Sequence, residues 1–398
     1  MKQKIIDKIN RLASQKEPFL FVINYQADEA FIRKLSDINP EECLFDFVGR
    51  GNWRENHSKE MGDSKRIYEK ISREIPKEIS EKKFFKGTPL DSPISWQITP
   101  PLYNDYERSF NIVKSNIMAG NSYLTNLTNR VPVSCNLSLE EIFHRAKGKY
   151  KLLLRRKRTQ AEDKAHLKEE NIEENLTPFV CFSPETFVRI KGGRIYSYPM
   201  KGTLDASLPN AEKLLMEDRK EAAEHATIVD LIRNDLSRVA EDVRVDKYRY
   251  VDVLHTNKGD ILQTSSEISG RLPEDYPHHL GEILDAQLPA GSITGAPKDK
   301  TMQIIQEAEG YDRGFYTGIM GIYDQGELNS AVMIRFIEEE ETSPVDFEAD
   351  GEKNFKANEG KKPKKSRKLY FKAGGGITSK SDCRREYEEV IQKIYLPF

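Results

Sequence analysis

This chain of 398 residues has few cysteines, no long apolar run and almost no net charge. Its four cysteines, Cys43, Cys135, Cys181 and Cys383, lie far apart without paired spacing, which excludes a zinc motif and a disulfide framework. No apolar run approaches the roughly eighteen residues that cross a bilayer, and the charged N-terminus lacks a signal-peptide cleavage pattern. We therefore expect a cytoplasmic protein without a membrane partner.

Charge is abundant but balanced. With 62 basic and 64 acidic side chains the net charge is -2, so there is no basic field to attract nucleic acid. Charged residues make up 32% of the chain and concentrate in two segments, near 155–176 and 338–368. Strand-like runs flank each segment, so both are predicted to be long hairpin loops. They are either solvated tips or contacts for a partner, and the residues do not select between the two.

The remaining sequence predicts helices and strands in irregular alternation. Apolar residues recur at helical spacing from Tyr103 to Ile117, and Gly120 follows as a left-handed cap. Residues 210–239 form a long helical pattern, while 318–336 contain the clearest pair of hairpin strands. Hairpin pairs indicate antiparallel sheets, which predicts an α+β fold. We divide it into a short N-terminal segment, 1–95, packing on a catalytic unit, 96–398.

A group of carboxylates marks the last predicted helix. Glu386 and Glu389 lie on one face, with Lys393 a turn beyond. On a wet surface Lys393 would offset their repulsion, whereas in a pocket the pair would need a cation such as Mg²⁺, which prefers oxygen ligands. Glu224, on the earlier helix, is available as a third ligand.

Three further features have both a structural and a chemical interpretation. The glycines of KAGGGIT form either a tight turn or a backbone cradle for an anion. Arg335, inside the apolar strand AVMIRFI, either faces water or binds a carboxylate. Lys201, in PMKGT, is either a surface lysine or a nucleophile that burial or a nearby cation keeps neutral.

In combination these segments are far more specific. In chain order, FSPETF, PMKGT, IVDLIRNDLSRVA, GSITGAPK, AVMIRF, AGGGI and EYEEVIQK resemble the chorismate-utilising enzymes over residues 100–398. The resemblance implies a large α+β catalytic unit with two mainly antiparallel sheets, chorismate as the substrate and Mg²⁺ as the metal.

The resemblance also implies roles for individual residues. Glu224, Glu386 and Glu389 match the magnesium-binding glutamates, and Glu185 matches the proposed acid for the departing ring hydroxyl. The implied substrate contacts are Gly202, Thr203, Gln263, Tyr316, Arg335, Gly374, Gly376 and Lys393.

Lys201 points to one branch of the family. Aminodeoxychorismate synthases resemble this chain in carrying lysine there, proposed to add to the ring as the hydroxyl leaves, whereas anthranilate synthases carry alanine. Isochorismate and salicylate synthases need a lysine where this chain has Leu124, so water addition is disfavoured. The expected reaction is therefore amination of chorismate with retention of the enolpyruvyl group.

The chain departs from the family pattern at several places. Gln263 replaces a histidine of many relatives, and Asn121 and Leu124 replace an aspartate and a glutamine. The motif by which anthranilate synthases bind tryptophan is not evident. Two alternatives therefore remain, an anthranilate synthase component I and a chorismate-binding subunit that has lost catalysis.

No glutaminase signature is present, since no cysteine lies in a glycine-rich elbow with a downstream histidine. The resemblance implies a separate glutamine amidotransferase subunit as the source of ammonia, and a lyase that later releases 4-aminobenzoate for folate.

Overall fold

The structure, a computed structural model, describes residues 1–53, 93–155, 177–256, 259–342 and 366–398. In chain order its strands are β1 Phe19–Ile23, β2 Ala30–Lys34, β3 Cys43–Phe47, β4 Arg50–Gly51, β5 Trp96–Ile98, β6 Leu124–Cys135, β7 Tyr150–Leu154, β8 Phe179–Ser183, β9 Thr186–Lys191, β10 Arg194–Ser197, β11 Met200–Asp205, β12 Glu241–Thr256, β13 Gly259–Arg271, β14 Gly295–Ala296, β15 Ile319–Asp324, β16 Glu327–Val332, β17 Phe336–Thr342 and β18 Ser366–Ile377. Its α-helices are α1 Gln3–Ser14, α2 Tyr103–Met118, α3 Leu139–Arg145, α4 Ala211–Glu217, α5 Arg219–Leu236, α6 Leu280–Gln287, α7 Gly291–Thr294, α8 Lys298–Glu309 and α9 Cys383–Gln392.

Among the described residues the strands form two sheets of nine strands each, and every pairing between them is antiparallel. The first sheet has the order β11-β13-β10-β9-β16-β15-β1-β2, with β12 also paired to β13. The second has the order β14-β6-β18-β17-β8-β7-β3-β4, with β5 also paired to β6. The expected α+β class with two mainly antiparallel sheets is thereby confirmed.

The two sheets pack face to face between layers of helices. Every residue of β1 is buried, and alternate side chains enter different clusters: Phe19 and Phe21 contact helices α1 and α6, whereas Leu20 and Val22 face the second sheet. On the outer face of the second sheet, helices α2, α3, α8 and α9 cover a third cluster. Burial of both faces explains why FLFVI is continuously apolar rather than alternating.

Several local predictions agree with the structure. Helix α2 buries Tyr106, Phe110, Val113 and Ile117, and Gly120 follows with a φ of +79°, a conformation that glycine adopts without strain. Strand β15 pairs with β16 as the expected hairpin, and β7 pairs with β8 across the first charged segment.

The structure corrects two other predictions. The helical pattern over 210–239 is two helices, because Asp218 between α4 and α5 takes an extended backbone conformation, with a ψ of 111°. Arg335 lies between β16 and β17 rather than inside a strand, with a φ of +58°. Positive φ is incompatible with a strand, so the chain bends there.

The second charged segment is shorter than 338–368. Strand β17 continues to Thr342 and β18 begins at Ser366, and Glu338 is held in the ladder by Arg130 and Lys372. The connection is therefore 343–365, which lies outside the described residues, as do 156–176 of the first segment.

Residues 1–53 contribute strands to both sheets, since β1 pairs with β15 and β3 pairs with β7. The proposed division at residue 95 stays a prediction. Within the described ranges, no helix is both long and apolar enough to cross a membrane.

Candidate active site

Lys201 lies at a β-bulge on the edge strand β11. It pairs with Thr264 of β13, but the register then shifts so that Thr203 pairs with Gln263. Gly202 causes the shift with a φ of +69°, and a side chain there would lie 2.9 Å from Glu221 Oε2. A bulge re-aims the neighbouring side chains. The Lys201 Nζ atom consequently meets Glu224 Oε2 of α5 at 3.0 Å.

Glu185 lies in the connection between β8 and β9, where the chain passes from one sheet to the other. Ser292 Oγ of α7 donates a hydrogen bond of 2.5 Å to Glu185 Oε1. Burial raises the pKa of Glu185 above its ordinary value, and the Ser292 hydrogen bond, Arg335 and Lys201 counteract part of that rise. A carboxyl group with a raised pKa retains its proton to higher pH, as a general acid requires.

Two of the three glycines of β18 face candidate residues, Gly375 the last helix and Gly376 Lys201. A side chain at Gly375 would lie 3.6 Å from Glu386 Oε2 and 3.7 Å from Lys393 Nζ, and one at Gly376 would lie 3.9 Å from Lys201 Nζ. Lys393 donates a hydrogen bond of 3.0 Å to the Gly374 carbonyl and forms a 2.7 Å ion pair with Glu389. The absence of side chains on this strand therefore leaves space beside two lysines and a glutamate.

Arg335 lies at the bend after β16, and Tyr316 precedes β15. Tyr316 is buried against Phe336, with the ring centroids 5.9 Å apart, and burial raises the pKa of its phenol. The Arg335 guanidinium is half-buried, 5.7 Å from the centre of the Tyr395 ring, and acts on the pKa of both Tyr316 and Glu185. A cation at this place is suited to a substrate carboxylate.

Several residues of the candidate site are connected by short contacts. One group comprises Lys201, Glu224 and Gly376, and Lys201 and Arg335 both act on the pKa of Glu185. The other comprises Gly375, Glu386, Lys393 and Glu389. Gly375 and Gly376 are neighbours on β18, where successive residues point to opposite faces, so the two groups lie on either side of this strand.

The glutamates fit Mg²⁺ by chemistry, since carboxylate oxygens are its preferred ligands. Glu224 and Glu389 each form an ion pair with a lysine, so both carboxylates lie where a cation is favoured. Within the described part of the chain, however, no three acidic, histidine or cysteine side chains converge as a ligand set. The magnesium assignment of Glu224, Glu386 and Glu389 stays a prediction.

Sequence reasoning missed two residues at this site. Ser292 belongs to GSITGAPK, and Gly375 is the middle glycine of a run in which only Gly374 and Gly376 were selected. The sequence motifs that contain these two residues, GSITGAPK and AGGGI, were both recognised, so the sequence did mark the correct segments. Choosing the residue required the register of β18 and the position of α7 against the β8–β9 connection.

The fold and this arrangement define a class of enzymes that is also evident from comparison with known proteins. Residues 1–349 match the family described as chorismate binding enzyme, and the chain belongs to that family. An uncharacterized PabA-like protein of Haemophilus influenzae is 41% identical over 395 residues, covering 99% of this chain and 97% of that protein. A second uncharacterized PabA-like protein, from Pasteurella multocida, is 41% identical over 392 residues, covering 98% of each chain.

More distant relatives carry the name of a different enzyme. Anthranilate synthase component 1 of Aquifex aeolicus is 34% identical over 223 residues, which cover 53% of this chain and 38% of that protein. Among solved structures, anthranilate synthase component I of Streptococcus pneumoniae aligns with a TM-score of 0.64 at 19% identity, covering 99% of this chain and 85% of that chain. At this identity the likeness establishes the fold.

Proposed function

We propose that the chain is the chorismate-aminating component of an aminodeoxychorismate synthase. It replaces the ring hydroxyl of chorismate with an amino group and keeps the enolpyruvyl group, forming 4-amino-4-deoxychorismate on the route to 4-aminobenzoate and folate. The observation that carries the proposal is the presence of Lys201 beside Glu224, near an acid, Glu185, whose pKa burial raises. Membership of the chorismate binding enzyme family supports the substrate.

The reaction needs a nucleophile and an acid in one place. Lysine attacks only as a neutral amine, and the Glu224 carboxylate, 3.0 Å from Nζ, holds that amine in place. The Lys201 amine then bonds to the ring while the C–O bond breaks, and the hydroxyl takes a proton from Glu185 and leaves as water. Ammonia afterwards displaces the lysine amine, so that one C–N bond replaces one C–O bond overall.

Substrate binding uses the surrounding groups. Arg335 and Lys393 supply cations for the two carboxylates of chorismate, while the β18 glycines allow the ring to approach the backbone. Thr203 and Gln263, paired across β11 and β13, line the ring. Mg²⁺ bound by Glu224, Glu386 and Glu389 would supply the remaining positive charge for a substrate carboxylate.

Ammonia is proposed to come from a glutamine amidotransferase subunit. Mass spectrometry of the products tests both this and the main proposal, with the purified chain given chorismate, Mg²⁺ and either ammonium salt or glutamine. We expect an aminated product retaining the enolpyruvyl group from ammonium salt, and no product from glutamine. Anthranilate with pyruvate would instead establish the alternative that the 34% identical relatives favour, and binding of chorismate without turnover would establish a non-catalytic subunit.

The nucleophile is tested by Lys201→Ala. We expect amination by ammonium to fall by at least ~100-fold, the scale on which positioned catalytic groups act, with chorismate binding largely retained in a calorimetric titration. Lys191→Ala, which removes an exposed lysine at the end of β9, is the matched control and should leave the rate unchanged. Normal amination by the Lys201 variant would eliminate the covalent role.

A further inference from the structure

Lys114 of α2 makes an unusual set of contacts with the turn that follows β18. Its Nζ atom donates hydrogen bonds to the carbonyl oxygens of Ser379 and Ser381, both at 2.8 Å, and of Thr378 at 3.3 Å. An ammonium group has three N–H donors and no acceptor, so these three carbonyls satisfy it completely. The side chain is half-buried, and its Nζ lies 5.8 Å from the centre of the Phe110 ring.

Three carbonyl oxygens that converge on one point form the environment of a bound cation. Their partial negative charges repel one another unless a positive charge lies between them. Lys114, whose side chain extends from α2, supplies that charge. The turn's own hydrogen bonds leave these carbonyls mostly to Lys114: the Thr378 amide donates to Ser381 Oγ at 3.1 Å, the Lys380 amide to Thr378 Oγ1 at 3.3 Å, and the Ser381 amide to the Thr378 carbonyl at 3.2 Å.

This turn connects the two elements on which the candidate site depends. Five residues, 378–382, join the end of β18 to the start of α9. Asp382 caps α9 by accepting a hydrogen bond of 3.0 Å from the Arg385 amide, and Glu386 lies within the first turn of the helix. At the other end of α9, Lys393 contacts the Gly374 carbonyl. Lys393 therefore attaches the C-terminal end of α9 to β18, while Lys114 attaches the turn before its N-terminal end to α2.

We propose that Lys114 is a positioning residue that acts as a built-in cation for the 378–381 turn. It holds α9 so that Glu386 and Glu389 keep their place beside the β18 glycines, although it contacts neither glutamate. This inference rests on the proposed function only in assigning those glutamates to Mg²⁺. Residues that hold metal ligands in place typically change metal affinity when they are lost.

The test compares three variants of the purified chain. Lys114→Met keeps the apolar stem on Phe110 and removes the charge, Lys114→Arg keeps the charge, and Lys380→Met removes an exposed lysine from the same turn. Hydrogen exchange followed by mass spectrometry measures the turn without requiring any turnover. We expect faster exchange confined to peptides covering 377–392 for Lys114→Met, largely normal exchange for Lys114→Arg, and no change for Lys380→Met.

A calorimetric titration with Mg²⁺ in the presence of chorismate measures the consequence for the glutamates. We expect Lys114→Met to weaken Mg²⁺ binding by roughly 10-fold, as loss of a residue supporting metal ligands does, and Lys114→Arg to restore most of it. Unchanged exchange in 377–392, exchange that rises equally throughout the chain, or altered exchange with normal Mg²⁺ affinity would each overturn the positioning role. A wild-type chain that binds no Mg²⁺ would contradict the proposed function instead, while the exchange result would still test the turn.

Discussion

At the scale of single residues, the environment of Glu185 decides what that carboxyl group can do. Burial raises its pKa, and the Ser292 hydroxyl, Arg335 and Lys201 oppose the rise because they favour the anion. The balance leaves an acid that is easier to protonate than an exposed glutamate and still has cations within range. Resemblance predicted Glu185, but the partner that holds its carboxylate comes from α7, over one hundred residues later in the chain.

Ser292→Ala should therefore change the pH dependence of amination. Loss of a hydrogen bond that favours the anion raises the pKa of Glu185 further, so the acid stays protonated to higher pH. We expect the alkaline limb of the kcat/KM profile to move to higher pH, and kcat to fall about 10-fold or more because a hydrogen bond to a charged group is lost. Ser292→Thr keeps the hydroxyl and should keep the limb in place. An unmoved limb in the alanine variant would show that Ser292 does not act through Glu185.

At the scale of elements, the glycine run of β18 contains positions with different requirements. A Cβ atom at Gly374 would lie 2.6 Å from the Leu127 carbonyl oxygen, which is backbone and cannot yield. At Gly375 the nearest atoms are the charged ends of Glu386 and Lys393, at ordinary contact distance. Gly374 therefore serves the close approach of β6 and β18, whereas Gly375 keeps space open at the candidate site.

Alanine substitutions separate these two requirements. Gly374→Ala should lower the free energy of unfolding by about 1–3 kcal/mol, as overpacking does. Gly375→Ala should leave the melting temperature nearly unchanged and lower kcat/KM by at least ~10-fold, since a displacement of about 1 Å at a reacting centre is costly. Thermal unfolding and steady-state kinetics on both variants check the contrast. A fully active Gly375 variant would show that chorismate does not occupy this space.

Several helices and strands were predictable from the local sequence pattern. The helical spacing that ends at Gly120 and the hairpin of β15 and β16 both appear in the structure, because each depends on residues close in sequence. The break at Asp218 and the bend at Arg335 were not predicted, because neither position has a glycine or proline to mark it. The surrounding packing imposes both, and a single sequence does not contain that information.

At the scale of the whole molecule, the candidate site lies where the chain passes between its two sheets. Lys201 and Gln263 belong to the first sheet and the β18 glycines to the second, while Glu185 and Arg335 occupy the two connections β8–β9 and β16–β17 that cross from one to the other. Glu185 and Arg335 are far apart in sequence, yet both lie where the described part of the chain crosses between the sheets. The resemblance selected these residues, and the order of strands in the two sheets explains their positions at the crossings.

The stability of the whole molecule in acid depends in part on His225 of α5. Its side chain is fully buried, and Nε2 lies 2.7 Å from Ser266 Oγ of β13, so the ring attaches α5 to the first sheet beside Glu224. Burial, with Arg249 and Lys201 nearby, lowers the pKa of His225 to about 4, whereas in the unfolded chain it is that of an ordinary histidine, about 6.5.

Below pH ~6.5 the unfolded chain therefore binds a proton at this histidine, whereas the folded protein does not. Each further pH unit lowers the free energy of unfolding by up to about 1.4 kcal/mol until the folded pKa is reached. Urea unfolding from pH 7 to pH 4 should show stability falling through this window. His225→Gln, which does not titrate, should fall less steeply, whereas His278→Gln, at an exposed position, should follow the wild type. Equal slopes for all three proteins would mean that carboxylates alone carry the acid sensitivity and that the contact between α5 and the first sheet tolerates a charged imidazole.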